Sequence, residues 1–155
     1  MGNIIEIPPI QETVPIEEKH LRVAAYCRVS TDQEEQDSSI ELQELRYRQM
    51  IEENPNWENV GVFSERASGL NLQERSAFQA MMHQCREEKI DLILTKSISR
   101  FGRNTLDILR VLQELQELNV DVFFEKEDLW LHERDLQIVL TAYCAFAQTE
   151  SEDMS

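Results

Sequence analysis

The stretch AAYCRVSTDQ, residues 24–33, holds the abrupt change from apolar to polar sequence that decides this fold. The residues from Leu21 to Cys27 form an apolar run with alanines and a valine, which predicts a buried strand. Arg28 and Ser30 follow at once. In open α/β sheets, chemistry takes place just beyond the carboxyl ends of the strands. A hydroxyl two residues from a guanidinium at such a position is therefore a candidate nucleophile beside an anion-binding group.

The rest of the chain alternates predicted strands with predicted helices. Strands are predicted at residues 21–27, 57–63, 90–95 and 120–124, and polar loops at 28–37, 64–75 and 96–104. A capping box of Ser38 with Glu41 predicts a first helix, which should end near Asn54 because Pro55 follows. Further helices are predicted over the stripe Phe78, Met81, Met82 and Cys85, from Asn104 or Thr105 to Asn119, and from about Arg134 onward. This order predicts an α/β fold with a parallel sheet and helices on both faces.

Composition limits the function. The chain has 155 residues and 41% hydrophobic residues, which suits one ordinary domain with a real core. Its formal net charge is −15. Duplex DNA is held largely by lysines and arginines that neutralise phosphates, so this domain is not expected to grip DNA by itself. If DNA is the substrate, the DNA-binding region should lie on a segment outside this chain.

The amino-terminal segment and the cysteines indicate no further chemistry. Residues 1–20 contain three prolines and no sustained period, so we predict a flexible leader ahead of one domain at 21–155. Cys27, Cys85 and Cys144 are far apart and lie in apolar segments, so small core residues are expected rather than disulfides or a zinc site. We see neither a membrane span nor a signal peptide, and a cytoplasmic protein without a membrane partner is expected.

The predicted strand ends bring together a set of basic and polar side chains. These are Arg28, Ser30, Glu65, Ser68, Arg75, Arg100 and Arg103, with Gln33 and Gln43 nearby. Several arginines around a hydroxyl suit a tetrahedral phosphoryl group, because guanidinium binds phosphate oxygens bidentately and stays charged. Such fixed donors would hold the charge that develops in a transition state. Arg100 and Arg103 also lie around the start of a helix, whose dipole adds positive charge.

Other catalytic classes fit poorly. His20, His83 and His132 lie outside these loops and have no Ser-His-Asp context. There is no carboxylate cluster of the kind that two-metal nucleases use and no Gly-rich nucleotide loop, so neither a metal nor another cofactor is expected. A thiol phosphatase would need an arginine several residues after Cys27, but position 33 is glutamine.

Two blocks resemble the signatures of the serine recombinases, the family of resolvases, invertases and large serine integrases. They are YCRVST at residues 26–31 and KSISRFGRNT at residues 96–105. The resemblance covers roughly residues 21–152 and implies a resolvase-like three-layer fold, with a mostly parallel central sheet flanked by helices and a C-terminal helix for dimerisation. It also implies metal-free, site-specific DNA recombination, in which a serine attacks a phosphodiester to give a 5′-phosphoserine intermediate.

The resemblance assigns roles to individual residues. Ser30 matches the nucleophile, Arg28, Arg100 and Arg103 match the phosphate-binding arginines, and Arg75 matches a further active-site arginine. Tyr26, Gln33, Gln43, Glu65, Ser68 and Ser99 fall at or near supporting positions. Glu65 stands where many members have aspartate, which keeps the charge and changes the reach. Ser99 stands where small resolvases have an acid, and this points to the large subgroup.

The resemblance also implies partners. Double-stranded DNA would be bound through the full-length protein, which would act as a homodimer and a synaptic homotetramer. The apolar face from Leu136 to Ala147 could pack on the sheet or form a dimer interface, and the sequence favours neither. Two other classes of protein are alternatives: a non-enzymatic regulatory module on a recombinase-like fold, and a flavodoxin-like or response-regulator domain. The arginine set argues against the first, and the missing acidic pocket and flavin loop argue against the second.

Overall fold

The computed structural model describes residues 20–30, 40–67 and 75–154. Some sequence-based predictions therefore lie wholly or mostly outside the described residues: the leader, the Ser38 cap, Gln33, Ser68, and the loops predicted at 28–37 and 64–75.

The described elements alternate as the sequence predicts. In chain order they are β1 (Leu21–Ser30), α1 (Ile40–Glu52), β2 (Trp57–Ala67), α2 (Ser76–Arg86), β3 (Leu92–Thr95), a 3₁₀ helix (Ile98–Phe101), α3 (Thr105–Glu117), β4 (Asp121–Phe124), β5 (Leu129–Trp130), a second 3₁₀ helix (Leu131–Glu133) and α4 (Leu136–Met154).

The strands of the described residues form one sheet in the order β2-β1-β3-β4-β5. The first four strands are parallel, and β5 runs antiparallel to β4 at the edge. The mostly parallel sheet is thus confirmed, whereas a fully parallel one is wrong. The two-residue β5 was not predicted, because it is too short to show a period and forms only through its pairing with Phe123 and Phe124.

Helices cover both faces of the sheet, so the fold has three layers. On one face α2, α3 and α4 bury side chains such as Met81, Leu112 and Val139 against the sheet. On the other face α1 buries Tyr47 and Ile51. The stripe of Phe78, Met81, Met82 and Cys85 is core, as predicted. The three-layer arrangement follows from a sheet that must bury both of its faces.

Two strands are longer than the sequence predicts, and this changes the position of the site. β1 continues through Arg28 to Ser30, and β2 continues to Ala67. The loops predicted from residue 28 and from residue 64 are therefore wrong at their starts. The polar ends stay extended because β1 and β2 pair in register there, with Arg28 opposite Glu65. This pairing supplies hydrogen-bond partners to the main-chain N–H and C=O groups of these residues.

Helix ends agree closely with the sequence. Asn104 caps α3 as predicted, since its side-chain oxygen accepts a hydrogen bond from the Asp107 N–H at 2.9 Å. α1 ends at Glu52, before Asn54 and Pro55. The predicted loop at 96–104 is wrong in part, because Ile98–Phe101 forms the 3₁₀ helix.

Helix α4 presents both a packed and an open face. Val139 is buried in the core, and Leu136, Leu140 and Tyr143 pack against it. Ile138 is 48% exposed and lies outside this contact. Core packing is therefore one use of the helix, and dimerisation stays a prediction.

Cys144 of the same helix is exposed, so the expectation that all three cysteines are core residues is wrong for this one. Its position on α4 turns it away from the sheet. Among the described residues, no helix is both long and apolar enough to cross a membrane.

Candidate active site

Glu65 links the first two strands to the start of α2. Its side chain is buried, with 8% of the residue exposed, and accepts hydrogen bonds from the Tyr26 hydroxyl and from the Ala77 N–H at 3.1 Å. Ala77 lies in the first turn of α2, where main-chain N–H groups lack a partner within the helix. Burial, and then the bond to Glu65, raise the pKa of Tyr26 to about 12. Tyr26 therefore stays a protonated donor at neutral pH.

Removing this hydroxyl should cost stability. Tyr26→Phe leaves a buried Glu65 oxygen without its donor, and such a loss costs about 1–3 kcal/mol. We expect urea unfolding to show a lower midpoint with an unchanged slope. Tyr143→Phe on α4 removes a hydroxyl outside this network and should change the unfolding free energy by less than about 0.5 kcal/mol. A Tyr26→Phe variant as stable as the parent would show that the bond contributes nothing net.

Arg75 binds main-chain groups of the 3₁₀ helix. Its guanidinium donates to the carbonyl oxygens of Arg100 at 2.6 Å and of Phe101 at 3.2 Å. Its Cζ lies 3.8 Å from the centroid of the Phe78 ring. The Nε of Arg75 is buried and has no hydrogen-bond partner among the described residues. In this arrangement, Arg75 holds the segment that carries Arg100.

Arg28 is half-buried, and the charges of Arg100, Arg75 and Glu65 act on it. Burial lowers the pKa of Arg28, and the positive charges of Arg100 and Arg75 lower it further. The carboxylate of Glu65 acts on Arg28 in the opposite direction and more weakly than either arginine, so positive charge is in excess around Arg28. Such an excess of guanidinium groups could accommodate a negatively charged ligand.

Phe101 anchors the 3₁₀ helix in the core. It is fully buried, and its ring contacts those of Tyr26, Phe78 and Phe124 at centroid distances of 6.2, 5.5 and 5.7 Å. Next to it, Gly102 passes so close to α3 that an added Cβ would lie 2.8 Å from the Asp107 Cβ. This close approach explains the glycine and sets the place of Arg103, which follows it and is exposed.

The structure brings together Tyr26, Arg28, Glu65, Arg75 and Arg100, all predicted site residues. Ser99 shares a hydrogen bond of 2.8 Å with Ser97. Gln43 is half-buried on α1, and none of the hydrogen bonds described above involves it. Ser30 is described through its backbone alone, as the last residue of β1, opposite Ala67.

Two acidic residues near the site were missed by sequence reasoning. Glu125 binds Arg46 at 2.7 Å and the Tyr47 hydroxyl at 2.7 Å. Glu127 accepts a hydrogen bond from the Ile98 N–H at 3.2 Å. The only signal was an acidic run directly after a strand, which usually means a solvated loop.

Comparison with known proteins places the chain in a family. Residues 23–155 match the sequence model described as "Resolvase, N terminal domain". The chain belongs to this family, and the resemblance to serine recombinases of the resolvase type is confirmed.

Individual relatives agree with this assignment. The chain is 28% identical over 130 residues to the transposon Tn3 resolvase of Escherichia coli, and the match covers 84% of this chain and 64% of that protein. A resolvase family site-specific recombinase from Streptococcus pneumoniae has a similar structure, with a TM-score of 0.63, 28% identity, and coverage of 86% of this chain and 90% of that one.

A second solved structure shows the same fold. The N-terminal catalytic domain of TP901-1 integrase has a TM-score of 0.62 at 23% identity, with coverage of 84% of this chain and 97% of that one. These similarities confirm the resolvase-like three-layer fold. The chain spans 64–65% of the length of the curated relatives that it matches.

Proposed function

We propose that residues 21–155 are the catalytic domain of a site-specific serine recombinase, preceded by a leader at 1–20. The observation that carries the proposal is the gathering of Arg28, Arg75 and Arg100 at the end of the strand that Ser30 closes. An isolated arginine on a surface means little, but here the positive charges of Arg100 and Arg75 act on Arg28 and lower its pKa, and Arg75 also binds the carbonyl of Arg100. Membership of the resolvase N-terminal family makes a DNA phosphodiester the best candidate anion.

Ser30 is the proposed nucleophile. Its hydroxyl oxygen would form a bond to the phosphorus of the scissile phosphodiester and lose its proton, while the bond to the 3′ oxygen breaks and that oxygen gains a proton. The products are a phosphoserine ester to the 5′ end and a free 3′ hydroxyl. Attack by a 3′ hydroxyl on the ester reverses the step and rejoins the strand, so the ester conserves the bond energy.

The arginines would act on the phosphoryl oxygens. The alternation of an extended strand assigns positions 26, 28 and 30 to one face of β1, so Arg28 is the nearest strand neighbour of the nucleophile on that face. Arg28, Arg100 and Arg103 would bind the non-bridging oxygens and stabilise the charge of the transition state. Arg75 would contribute through the main chain of residues 100 and 101, which it binds. None of these roles uses a cofactor.

The partners follow from the same proposal. The net charge of −15 makes this domain a poor binder of duplex DNA by itself, so DNA would be bound through the full-length protein. Cutting both strands of two sites would need a homodimer and a synaptic homotetramer. Ser99, where small resolvases carry an acid, supports a member of the large subgroup. The cytoplasmic location expected from the sequence stays a prediction.

The test is the capture of the covalent intermediate. The full-length protein is incubated in EDTA with DNA. This DNA carries the junction of the mobile element that is expected to encode the protein. The reaction is then quenched with denaturant. We expect protein covalently joined to a 5′ DNA end. DNA that is bound but never joined to protein would contradict the proposal and favour the regulatory-module alternative.

Arg28 allows a graded test of the anion site. Arg28→Ala should lower the rate of adduct formation about 10²–10³-fold, as loss of a donor to a developing oxyanion does. Arg28→Lys keeps the charge but loses the bidentate fork, so we expect an intermediate rate. Arg110→Ala, at an exposed position of α3, is the matched control and should react like the parent. Adduct formation by Arg28→Ala at the parent's rate would remove Arg28 from the site.

A further inference from the structure

The turn between β4 and β5 is joined to the segment that carries Arg100. Its main chain continues the pairing of β3 with β4, since the Glu125 N–H binds the Thr95 carbonyl at 3.1 Å and the Lys126 N–H binds the Lys96 carbonyl at 2.7 Å. These two bonds fix the turn beside the start of the 3₁₀ helix. They do not depend on any side chain of the turn.

Glu127 then caps the 3₁₀ helix from this turn. The first N–H groups of any helix lack a partner within it. Ser97 stands at the cap position but makes no capping bond, because its hydroxyl pairs with Ser99 at 2.8 Å. The Ile98 N–H is bound by the Glu127 carboxylate at 3.2 Å instead. Ile98 is fully buried, so an unpaired N–H at this position would be costly.

The other end of the same helix is held by Arg75, through the carbonyl oxygens of Arg100 and Phe101. The Glu127 carboxylate thus binds the N-terminal end of this four-residue helix, and the Arg75 guanidinium binds its C-terminal end. Both side chains come from distant parts of the chain. Between them lies Arg100, whose own N–H is bound to the Ser97 carbonyl at 3.1 Å. The main chain of this helix is therefore supported at both ends.

Glu127 is only partly accessible to water, and burial raises its pKa. Partial burial removes water from the carboxylate, so this position is unfavourable for Glu127 unless a protein group binds it. Its bond to the Ile98 N–H offsets part of the desolvation and fixes the direction of the side chain.

We propose that Glu127 is a positioning residue, which holds the Ile98–Phe101 helix so that Arg100 meets the scissile phosphate. The role rests on the proposed recombinase function and deepens it. Because Glu127 acts through a main-chain N–H, an acceptor oxygen at this position matters and the negative charge does not. A misplacement of about 1 Å in a reacting group can cost about 10²-fold in rate.

Three variants of the full-length protein test this role. Glu127→Ala removes the acceptor, Glu127→Gln keeps a carbonyl oxygen, and Glu117→Ala changes an exposed glutamate at the end of α3 as the matched control. The first readout is amide hydrogen exchange of residues 97–104, which needs no activity. The second is the rate of adduct formation at saturating DNA, measured beside the affinity for that DNA.

We expect Glu127→Ala to speed exchange at residues 98–101 about 5-fold or more, with β3 and α3 unchanged, because one capping bond is worth about 1 kcal/mol, which converts to about 5-fold. Its adduct should form about 10–100-fold more slowly at unchanged DNA affinity. Glu127→Gln should react within about 3-fold of the parent, and Glu117→Ala should match the parent in both readouts.

Three results would overturn the inference. Parent-like exchange in Glu127→Ala would show that the bond does not hold the helix. Faster exchange with an unchanged reaction rate would show that the helix is held but Arg100 is not positioned by it. Equal loss in Glu127→Gln would assign the effect to charge. If the parent itself forms no adduct, the proposed function fails, and that failure is visible before any variant is compared.

Discussion

We expect the replacement of Ser30 by alanine to abolish strand cleavage and to keep the fold. The hydroxyl is the proposed attacking group, and alanine leaves nothing that could form an ester to the 5′ phosphate. Loss of a nucleophile that acts with its surrounding groups lowers rates by about 10³-fold or more, so we expect no adduct above background. Ser30 ends β1 and is held there by main-chain pairing with β2, which alanine can also make. The circular dichroism spectrum and the unfolding midpoint should therefore match the parent.

The comparison uses the adduct assay in EDTA with the parent and two variants. Ser76→Ala, at the exposed start of α2, makes the same chemical change outside the site and should form adduct at the parent's rate. DNA binding by Ser30→Ala, measured by gel shift, should be unchanged. A 5′ adduct that persists in Ser30→Ala would place the nucleophile on another residue.

The largest loss of stability is expected for Phe101→Ala. Phe101 is fully buried and touches three other aromatic rings, which belong to β1, α2 and β4. Truncation of a buried phenylalanine costs about 3–5 kcal/mol, from lost transfer free energy and from the cavity that remains. For a domain of 155 residues, this is a large part of the usual stability of about 5–15 kcal/mol. We expect urea unfolding at pH 7 to shift by that amount.

Phe146→Ala is the control for this truncation, since Phe146 is 37% exposed on α4 and should cost about 1 kcal/mol or less. The Phe101 variant keeps its carbonyl oxygen, so the bond from Arg75 is not removed directly. A cost below about 1.5 kcal/mol would mean that the cavity collapses and that the 3₁₀ helix is not anchored by this ring.

The periodicity of the hydrophobic residues was enough to predict most helices and strands. The Met81 stripe, the apolar run of β3 and the Asn104 cap were correct because helix faces, buried strands and caps depend on neighbouring residues. The arginine set was also predicted, since two motifs lie directly after strands and parallel strands bring their carboxyl ends to one edge.

Polar strand ends were the main failure. Arg28 and Glu65 look like loop residues, and their strand conformation arises from pairing between segments far apart in the chain. β5 was missed for the same reason, because it has no period of its own and exists through β4.

The sequence alone therefore determined the class of fold, the alternation of strands and helices along the chain, and which residues could form an anion site. Only the tertiary structure decided what those residues do for one another: that Arg75 binds the main chain at residues 100 and 101, that Glu65 links Tyr26 to α2, and that Glu127 caps the helix of Arg100. The physical reason is the separation along the sequence of the residues that interact. Hydrophobic periodicity, helix caps and turns depend on residues a few positions apart. A buried hydrogen bond instead joins groups that only the packed chain brings within about 3 Å of each other.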